Sequence, residues 1–356
     1  MSECEGTPNH GAQEPLLAVS MGEPAGIGGE IALMAWERRA EALPPFFIVG
    51  DPDWLASVAR RMDLGRVEAI DHPNQAIDTF ARALPVLPSP VPLARPSWPG
   101  HGDPLNAPAV VGAIEHTVAL VAAGAADGVV TLPIHKRILL EGGFTHPGHT
   151  EYLGVLAGRH WPDQPARAVM MLVGKGLRVS PVTVHMPLRR AIEILDRDMI
   201  VATGEVVARA LIDDLGVESP RLVVAGLNPH AGEDGRLGHE DQDIIAPAVA
   251  TLVSRGIRVQ GPLPADTLFH AEARAGYDAA LCMVHDQALI PLKTLDFHGG
   301  VNVTLGLPFV RTSPDHGTAF ALAGHGGARP DSLMAALRVA ATMTARRRAQ
   351  GRSPRP

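Results

Sequence analysis

The stretch LLAVSMGEPAGIGGEIALMAWER, Leu16 to Arg38, passes from an apolar run through a glycine-rich turn into an amphipathic segment. Leu16 to Ser20 is short and continuously apolar, the pattern of a strand buried on both faces of a parallel sheet. Ile27 to Arg38 carries its apolar residues at helical spacing. Between them Gly26, Gly28 and Gly29 sit at a strand-to-helix junction, where glycine lets a ligand approach the backbone and a helix N-terminus favours an anion. The spacing is not G-x-G-x-x-G, so a tight turn that merely needs glycine accounts for it equally well.

The same unit recurs along the chain, which predicts an α/β fold with a mainly parallel sheet. Strands are expected at Leu16 to Ser20, Phe46 to Val49, Gly128 to Leu132, Ala168 to Val173, Leu177 to Val184, Leu222 to Ala225, Ala279 to Val284 and Val301 to Leu305. Helices are expected at Ile27 to Arg38, Ala109 to Ala122, Asp196 to Leu215, Gln242 to Ser254 and Asp331 to Arg346. The proline-rich stretch Leu84 to Pro108 reads as a long surface connection. No repeat of solenoid length is present. A length of 356 residues is enough for two lobes.

Composition narrows the function classes. A formal net charge of −7 argues against a nucleic-acid partner. The two cysteines, Cys4 in a polar tail and Cys282 in an apolar run, make a disulfide framework improbable and leave Cys282 as an inert buried thiol. No uncharged stretch is long enough to span a bilayer and the N-terminus lacks a signal-peptide layout, so no membrane partner and a cytoplasmic location are expected. The C-terminal RRRAQGRSPRP reads as a short basic tail. No G-x-S-x-G elbow occurs, which disfavours a serine hydrolase.

In an open α/β sheet the chemistry sits beyond the carboxyl ends of the strands. His185 ends VSPVTVH, His230 lies in GLNPH, and His285 follows DAALCMV. Three neutral imidazoles with an open position suit a catalytic zinc or cobalt ion; each is equally readable as an ordinary loop histidine. In THPGHTEYL, His149 and Thr150 precede an amphipathic segment and suit a phosphate, although Thr150 also fits a plain N-cap. From His285 onward, Lys293, Asn302 and Arg311 lie between apolar segments, two cations and an amide suited to phosphate and carboxylate or to surface ion pairs. DHGTAFALAGHGGARP fits a nucleotide-binding loop or a long glycine-rich turn.

Taken together, GEPAGIG (Gly22 to Gly28), PIHK (Pro133 to Lys136), GHTE (Gly148 to Glu151), VHMPL (Val184 to Leu188) and GLNPHAGEDG (Gly226 to Gly235) form an ordered series. GPLPADT (Gly261 to Thr267), HDQALIPLK (His285 to Lys293) and GVNVTLGLPFVRTSPDHGTA (Gly300 to Ala319) continue it. The series resembles the 4-hydroxythreonine-4-phosphate dehydrogenase family, itself similar to the isocitrate and isopropylmalate dehydrogenases. The resemblance implies a two-lobed α/β/α homodimer that shares its active site between subunits. The outer lobe would comprise residues 16–140 with 305–348 and carry the cofactor loop. The central lobe, 141–304, would hold the metal and the dimer interface, with residues 1–15 a flexible tail and 349–356 a basic one. It implies a divalent metal (zinc, cobalt or magnesium) on His185, His230 and His285, one of them supplied by the partner subunit. Substrate contacts carry over to His149, Thr150, Lys293, Asn302 and Arg311, and NAD or NADP contacts to Gly26, Gly28, His316, Gly317, Thr318 and Gly324. Lys293 and Asp286 are the candidates for proton handling, with Asp286 also placed to orient His285.

The implied activity is oxidation of 4-phosphohydroxy-L-threonine to a β-keto acid that decarboxylates to 3-amino-2-oxopropyl phosphate, in pyridoxal 5′-phosphate biosynthesis. A related dehydrogenase acting on phosphorylated threonate or erythronate, or on a cyclic dihydrodiol, is the first alternative; a zinc hydrolase or non-catalytic metal binder is the second. HEDQD (His239 to Asp243) and DFHG (Asp296 to Gly299) depart from the family pattern and put loop details in doubt.

Overall fold

A computed structural model describes residues 14–146, 148–164 and 166–352. Residues 1–13 of the expected N-terminal tail, Cys4 among them, and residues 353–356 of the expected basic tail lie outside the described residues. The strands are β1 Leu17–Ser20, β2 Phe46–Gly50, β3 Val67–Ala69, β4 Leu84–Pro88, β5 Gly128–Thr131, β6 Val169–Gly174, β7 Leu177–Pro181, β8 Arg221–Ala225, β9 Arg258–Leu263, β10 Ala279–Cys282, β11 Val301–Leu305 and β12 Arg311–Pro314. The helices are α1 Gly28–Glu37, α2 Pro52–Met62, α3 Ala76–Phe80, α4 Ala107–Ala122, α5 Lys136–Glu141, α6 His149–His160, α7 Leu188–Ile194, α8 Arg197–Asp213, α9 Ala246–Ser254, α10 Ala271–Ala275, α11 His285–Leu295 and α12 Asp331–Ala349.

The strands form one sheet in the order β3-β4-β2-β1-β5-β12-β11-β6-β7-β10-β8-β9. Pairing is parallel except where β11 meets β12 and β6 and where β6 meets β7. β1, β2, β5 and β10 are buried along their whole length, as strands covered on both faces must be. The chain crosses the sheet twice. Residues 17–131 build one half, 169–305 the other, and β12 returns to pair with β5 and β11.

Each expected strand and helix is present with ends shifted by a few residues, and several elements were not expected. Leu84 to Pro108 is not one irregular connection: Leu84–Pro88 pairs with both β2 and β3, and Ala107 already begins α4. Its prolines disguised the strand. Pro85 precedes the register with β2, which starts at Val86, so its missing N–H costs no ladder bond there. Pro291 similarly hid α11, a helix that contains it. His149 and Thr150 do not precede a helix but form the first turn of α6, with Gly148 at the N-cap. The helical stretch Pro104–Ala122 is long and apolar enough to cross a membrane, and α4 within it packs on β1 and β2.

The last helix is fastened by a buried ion pair. Arg347 Nε and Nη2 donate to Asp214 Oδ1 and Oδ2 at 2.7 and 2.9 Å, and Nη1 reaches the carbonyls of Leu307 and Pro308. Arg352, within the basic tail, pairs with Asp213 at 2.9 Å. Removing one member of a buried pair leaves the other charged and unpaired, at a cost of roughly 3–5 kcal/mol. Asp214→Ala is therefore expected to lower unfolding free energy by about that amount. Asp214→Ala with Arg347→Met should lose less, which denaturant melts of the two variants would measure.

Candidate active site

β7, β10 and β8 are neighbours and all parallel, so their carboxyl ends open on one edge of the sheet. The chain leaving β7 stays tied to the chain leaving β10: Val182 N donates to Cys282 O at 2.7 Å and Thr183 Oγ1 to Met283 O at 2.8 Å. His185 and His285 are thereby delivered together, their ring centroids 5.5 Å apart. His185 has a left-handed φ of 34°, and His285 opens α11 with Nδ1 2.8 Å from Asp286 Oδ1. Burial, and then the neighbouring His285, hold His185 below its ordinary pKa, so it is neutral at neutral pH. Glu151 and Lys136 stand close enough to bias its charge in opposite directions, which brings GHTE and PIHK to the same place. Two imidazoles at this spacing fit a borderline divalent metal. An open cavity of about 910 Å³ adjoins them, lined largely by apolar groups including Val184, Leu188, Phe269 and Ile290.

His230 does not join this pair within the chain. Among the described residues no three His, Cys, Asp or Glu side chains gather as a metal-holding group. The reason lies in the backbone after β8. His230, Ala231, Glu233 and Asp234 have φ of 52, 53, 43 and 57°, with Gly232 and Gly235 left-handed as well, a coil that carries His230 to the exposed surface. Each L-residue in that region costs roughly 1–2 kcal/mol, and such strain is concentrated at functional sites.

A second cluster lies across the sheet's middle. Arg311, on β12, is 3% exposed, and its Nη1 and Nη2 donate to Thr304 Oγ1 at 2.9 Å and Thr131 Oγ1 at 2.6 Å. Nη2 is also 3.3 Å from His149 Nδ1. Asn302 shares the sheet face of Thr304, two residues along β11. Arg311 Nε, His149 Nε2 and Asn302 Oδ1 are buried with no protein partner. Burial drives the Arg311 pKa down to about 10, and burial followed by the Arg311 charge holds His149 well below its ordinary value. A buried guanidinium facing two neutral hydroxyls and, among the described residues, no carboxylate is a site built for an anion. Thr150 stands beside His149 in the first turn of α6. Lys293 is engaged elsewhere: its Nζ lies 2.8 Å from Asp315 Oδ2 and bonds the Asp315 carbonyl, joining α11 to the glycine-rich loop.

The two glycine-rich segments pack on each other. Ile27 N donates to Thr318 O at 3.1 Å, and a Cβ on Gly26 would lie 2.9 Å from that oxygen. Gly26 is thus required first by the neighbouring loop. Gly28 has only ordinary contacts with Leu132 and Met21. Gly324, left-handed at φ 80°, donates its amide to the buried Glu30 carboxylate at 2.6 Å. Phe320 stacks on His135 with centroids 4.8 Å apart, and Gly100 N donates to Ala25 O at 2.8 Å, so residues 98–103 close around the loop. His316 Nδ1 is 3.0 Å from Gly317 O, and Gly317 is exposed with open space around its Cα. Cys282 is fully buried, with its thiol pushed up to about 12 by burial, and carries no chemistry.

A family model, "Pyridoxal phosphate biosynthetic protein PdxA", matches residues 42–340. The chain belongs to this family. A 4-hydroxythreonine-4-phosphate dehydrogenase from Methylorubrum populi is 54% identical over 331 residues, 93% of this chain and 95% of its own. A solved 4-hydroxythreonine-4-phosphate dehydrogenase from Klebsiella pneumoniae is 35% identical, covers 94% of this chain and 99% of its own, and superposes with a TM-score of 0.81. A solved terephthalate 1,2-cis-dihydrodiol dehydrogenase from Burkholderia xenovorans is 26% identical, covers 92% and 98%, and gives 0.61.

In this PdxA-family chain several site residues escaped the sequence reading. Thr131, Thr304 and Asp315 hold the cations, and hydroxyls inside apolar strands or an acid beside His316 gave no separate signal. Gln287 donates to Gly226 O at 2.8 Å and accepts from Met283 N at 2.9 Å, bracing the His285 segment against the His230 loop. Its place two residues after His285 was the available clue.

Proposed function

We infer that this chain oxidises its substrate as a 4-hydroxythreonine-4-phosphate dehydrogenase of pyridoxal phosphate biosynthesis, with NAD or NADP taking the hydride. The observation that carries the reading is the buried Arg311, His149 and Asn302 set with three unpartnered polar atoms, in a PdxA-family chain. That anion-binding set suits a phosphorylated substrate and would go unused by an uncharged dihydrodiol. Protein-dependent reduction of NAD or NADP by 4-phosphohydroxy-L-threonine tests it. Turnover of a phosphate-free dihydrodiol, with none of the phosphorylated amino acid, would overturn it.

The residues divide the work. Arg311 neutralises the phosphate, His149 stays neutral and offers Nε2, and Thr150 adds a donor at the α6 N-terminus. Lys293, paired with Asp315, is proposed to exchange that partner for the substrate or to hand on its proton. Asp286 orients the His285 ring and is the second candidate base. His185 and His285 are two proposed metal ligands, and imidazole donors favour zinc or cobalt over magnesium. When bound, the ion supplies a Lewis acid that lowers the pKa of the substrate hydroxyl and offsets negative charge as carbon dioxide leaves.

The third ligand is proposed to be His230 of a second copy. The pair within one chain lacks it, His230 is exposed, and the cavity beside the pair is rimmed by Leu188 and Ile290, exposed at 61% and 64%. A second copy covering that apolar rim would complete the site and form the homodimer. In this reading residues 16–140 with 305–348, and 141–304, act as two lobes, and the enzyme works in the cytoplasm.

The dinucleotide is proposed to lie on Gly26, Gly28, His316, Gly317, Thr318 and Gly324. Phe320 then anchors the loop without touching the reacting atoms. Phe320→Ala is expected to raise KM for NAD(P) by about tenfold with kcat nearly kept, as steady-state kinetics would show.

A further inference from the structure

The HEDQD segment, His239 to Asp243, is where the strained His230 loop is fastened. Asp241 is 1% exposed and opens a π-helical turn, Asp241–Ile245, a form found often at functional sites. Its Oδ1 accepts from Leu227 N at 2.9 Å, and its Oδ2 accepts from Asn228 N and Asn228 Nδ2, both at 3.0 Å. Glu240 accepts from the same Asn228 amide at 2.8 Å. Leu227 and Asn228 are the residues just before the left-handed coil, so the carboxylate fixes the chain where it enters. The contacts are close. A Cβ on Gly226 would lie 2.8 Å from Asp241 Oδ1, and one on Gly238 2.6 Å from Asn228 Nδ2.

Gly232 and Gly235 take the left-handed backbone of the coil at no steric cost, but its other residues do not. His230, Ala231, Glu233 and Asp234 are L-residues that prefer right-handed or extended backbone. Coil bonds such as Ala231 N to Asn228 O at 3.1 Å and Leu237 N to Gly232 O at 3.1 Å close it locally. Its side-chain anchor to the rest of the fold is Asp241, together with Gln287 at the Gly226 carbonyl, beside a backbone bond from Gly226 N to Leu263 O at 2.8 Å. Without that anchor a relaxed loop would carry the His230 imidazole away from a fixed position.

We propose that Asp241 is a positioning residue, whose buried carboxylate holds residues 226–238 in the form that presents His230 as a metal ligand to a second copy. This rests on the reading of His230 as a ligand. Substitution of residues that orient metal ligands typically weakens binding 10–100-fold. Asp241→Asn keeps the shape and loses an acceptor oxygen, and should weaken zinc affinity of the full chain by about that factor. Competition with a chromophoric chelator, well below the melting temperature, measures it. Asn228→Ala, which leaves both backbone bonds to Asp241, should weaken zinc less and guards against a variant that fails to fold. His230→Ala is the reference. Weaker zinc in His230→Ala with unchanged affinity in both folded test variants overturns the positioning role alone. Unchanged affinity in His230→Ala overturns it together with the ligand reading. A purely structural role would lower the melting temperature of Asp241→Asn and leave its zinc affinity intact, which also counts against the proposal.

Discussion

Arg311→Met should lower kcat/KM for 4-phosphohydroxy-L-threonine by roughly 10²–10³-fold while leaving the fold at least as stable. The first effect follows from losing the cation of a buried, hydrogen-bonded charge pair with the phosphate, worth roughly 2–5 kcal/mol. The second follows because the chain buries this guanidinium against hydroxyls and a neutral imidazole, with no carboxylate among the described residues to offset its desolvation. Arg311→Lys keeps the charge and loses the planar fork, so it should recover only part of the activity. Steady-state kinetics on both variants, beside their melting temperatures, separate the two effects. A destabilised Arg311→Met with unchanged KM would mean that the residue serves the sheet and not the substrate.

His285→Ala and His185→Ala should each remove turnover by three orders of magnitude or more, the scale of several kcal/mol that a Lewis acid contributes. Chelation of the unsubstituted enzyme should have the same result. Zinc or cobalt should restore activity better than magnesium. Since the two rings stand 5.5 Å apart at the mouth of a cavity rather than in the core, neither substitution is expected to unfold the protein. Activity that survives exhaustive chelation would remove the metal from the account.

The parts of this molecule that local pattern controls were legible in advance. Leu17–Ser20 and Ala279–Cys282 are continuous apolar runs, and burial on both faces follows from that alone. What local pattern does not encode was misread. Leu84–Pro88 is a strand because β2 and β3 flank it, although its prolines argue otherwise. Arg311–Pro314 looks polar and irregular, yet it is the strand that joins the halves of the sheet and buries Arg311. The site shows the same division. That His185 and His285 meet was inferable from strand ends, since β7 and β10 pair directly. That His230 stands apart was not, because the left-handed coil from His230 to Gly235 leaves no trace in hydrophobic periodicity. Lys293 is legible as a candidate cation, but its pairing with Asp315, across 22 positions, is a tertiary contact that local pattern does not encode.

The central claim is an oxidoreductase site assembled from His185 and His285 of one copy and His230 of another. Mixing inactive His185→Ala and His230→Ala chains, after denaturation and joint refolding, tests it most directly. With a two-fold pair, mixed dimers carry one site free of both substitutions, so equal mixing should restore about a quarter of unsubstituted activity. If all three histidines act within one chain, every site in the mixture keeps a substitution, and the absence of any recovery would contradict the account.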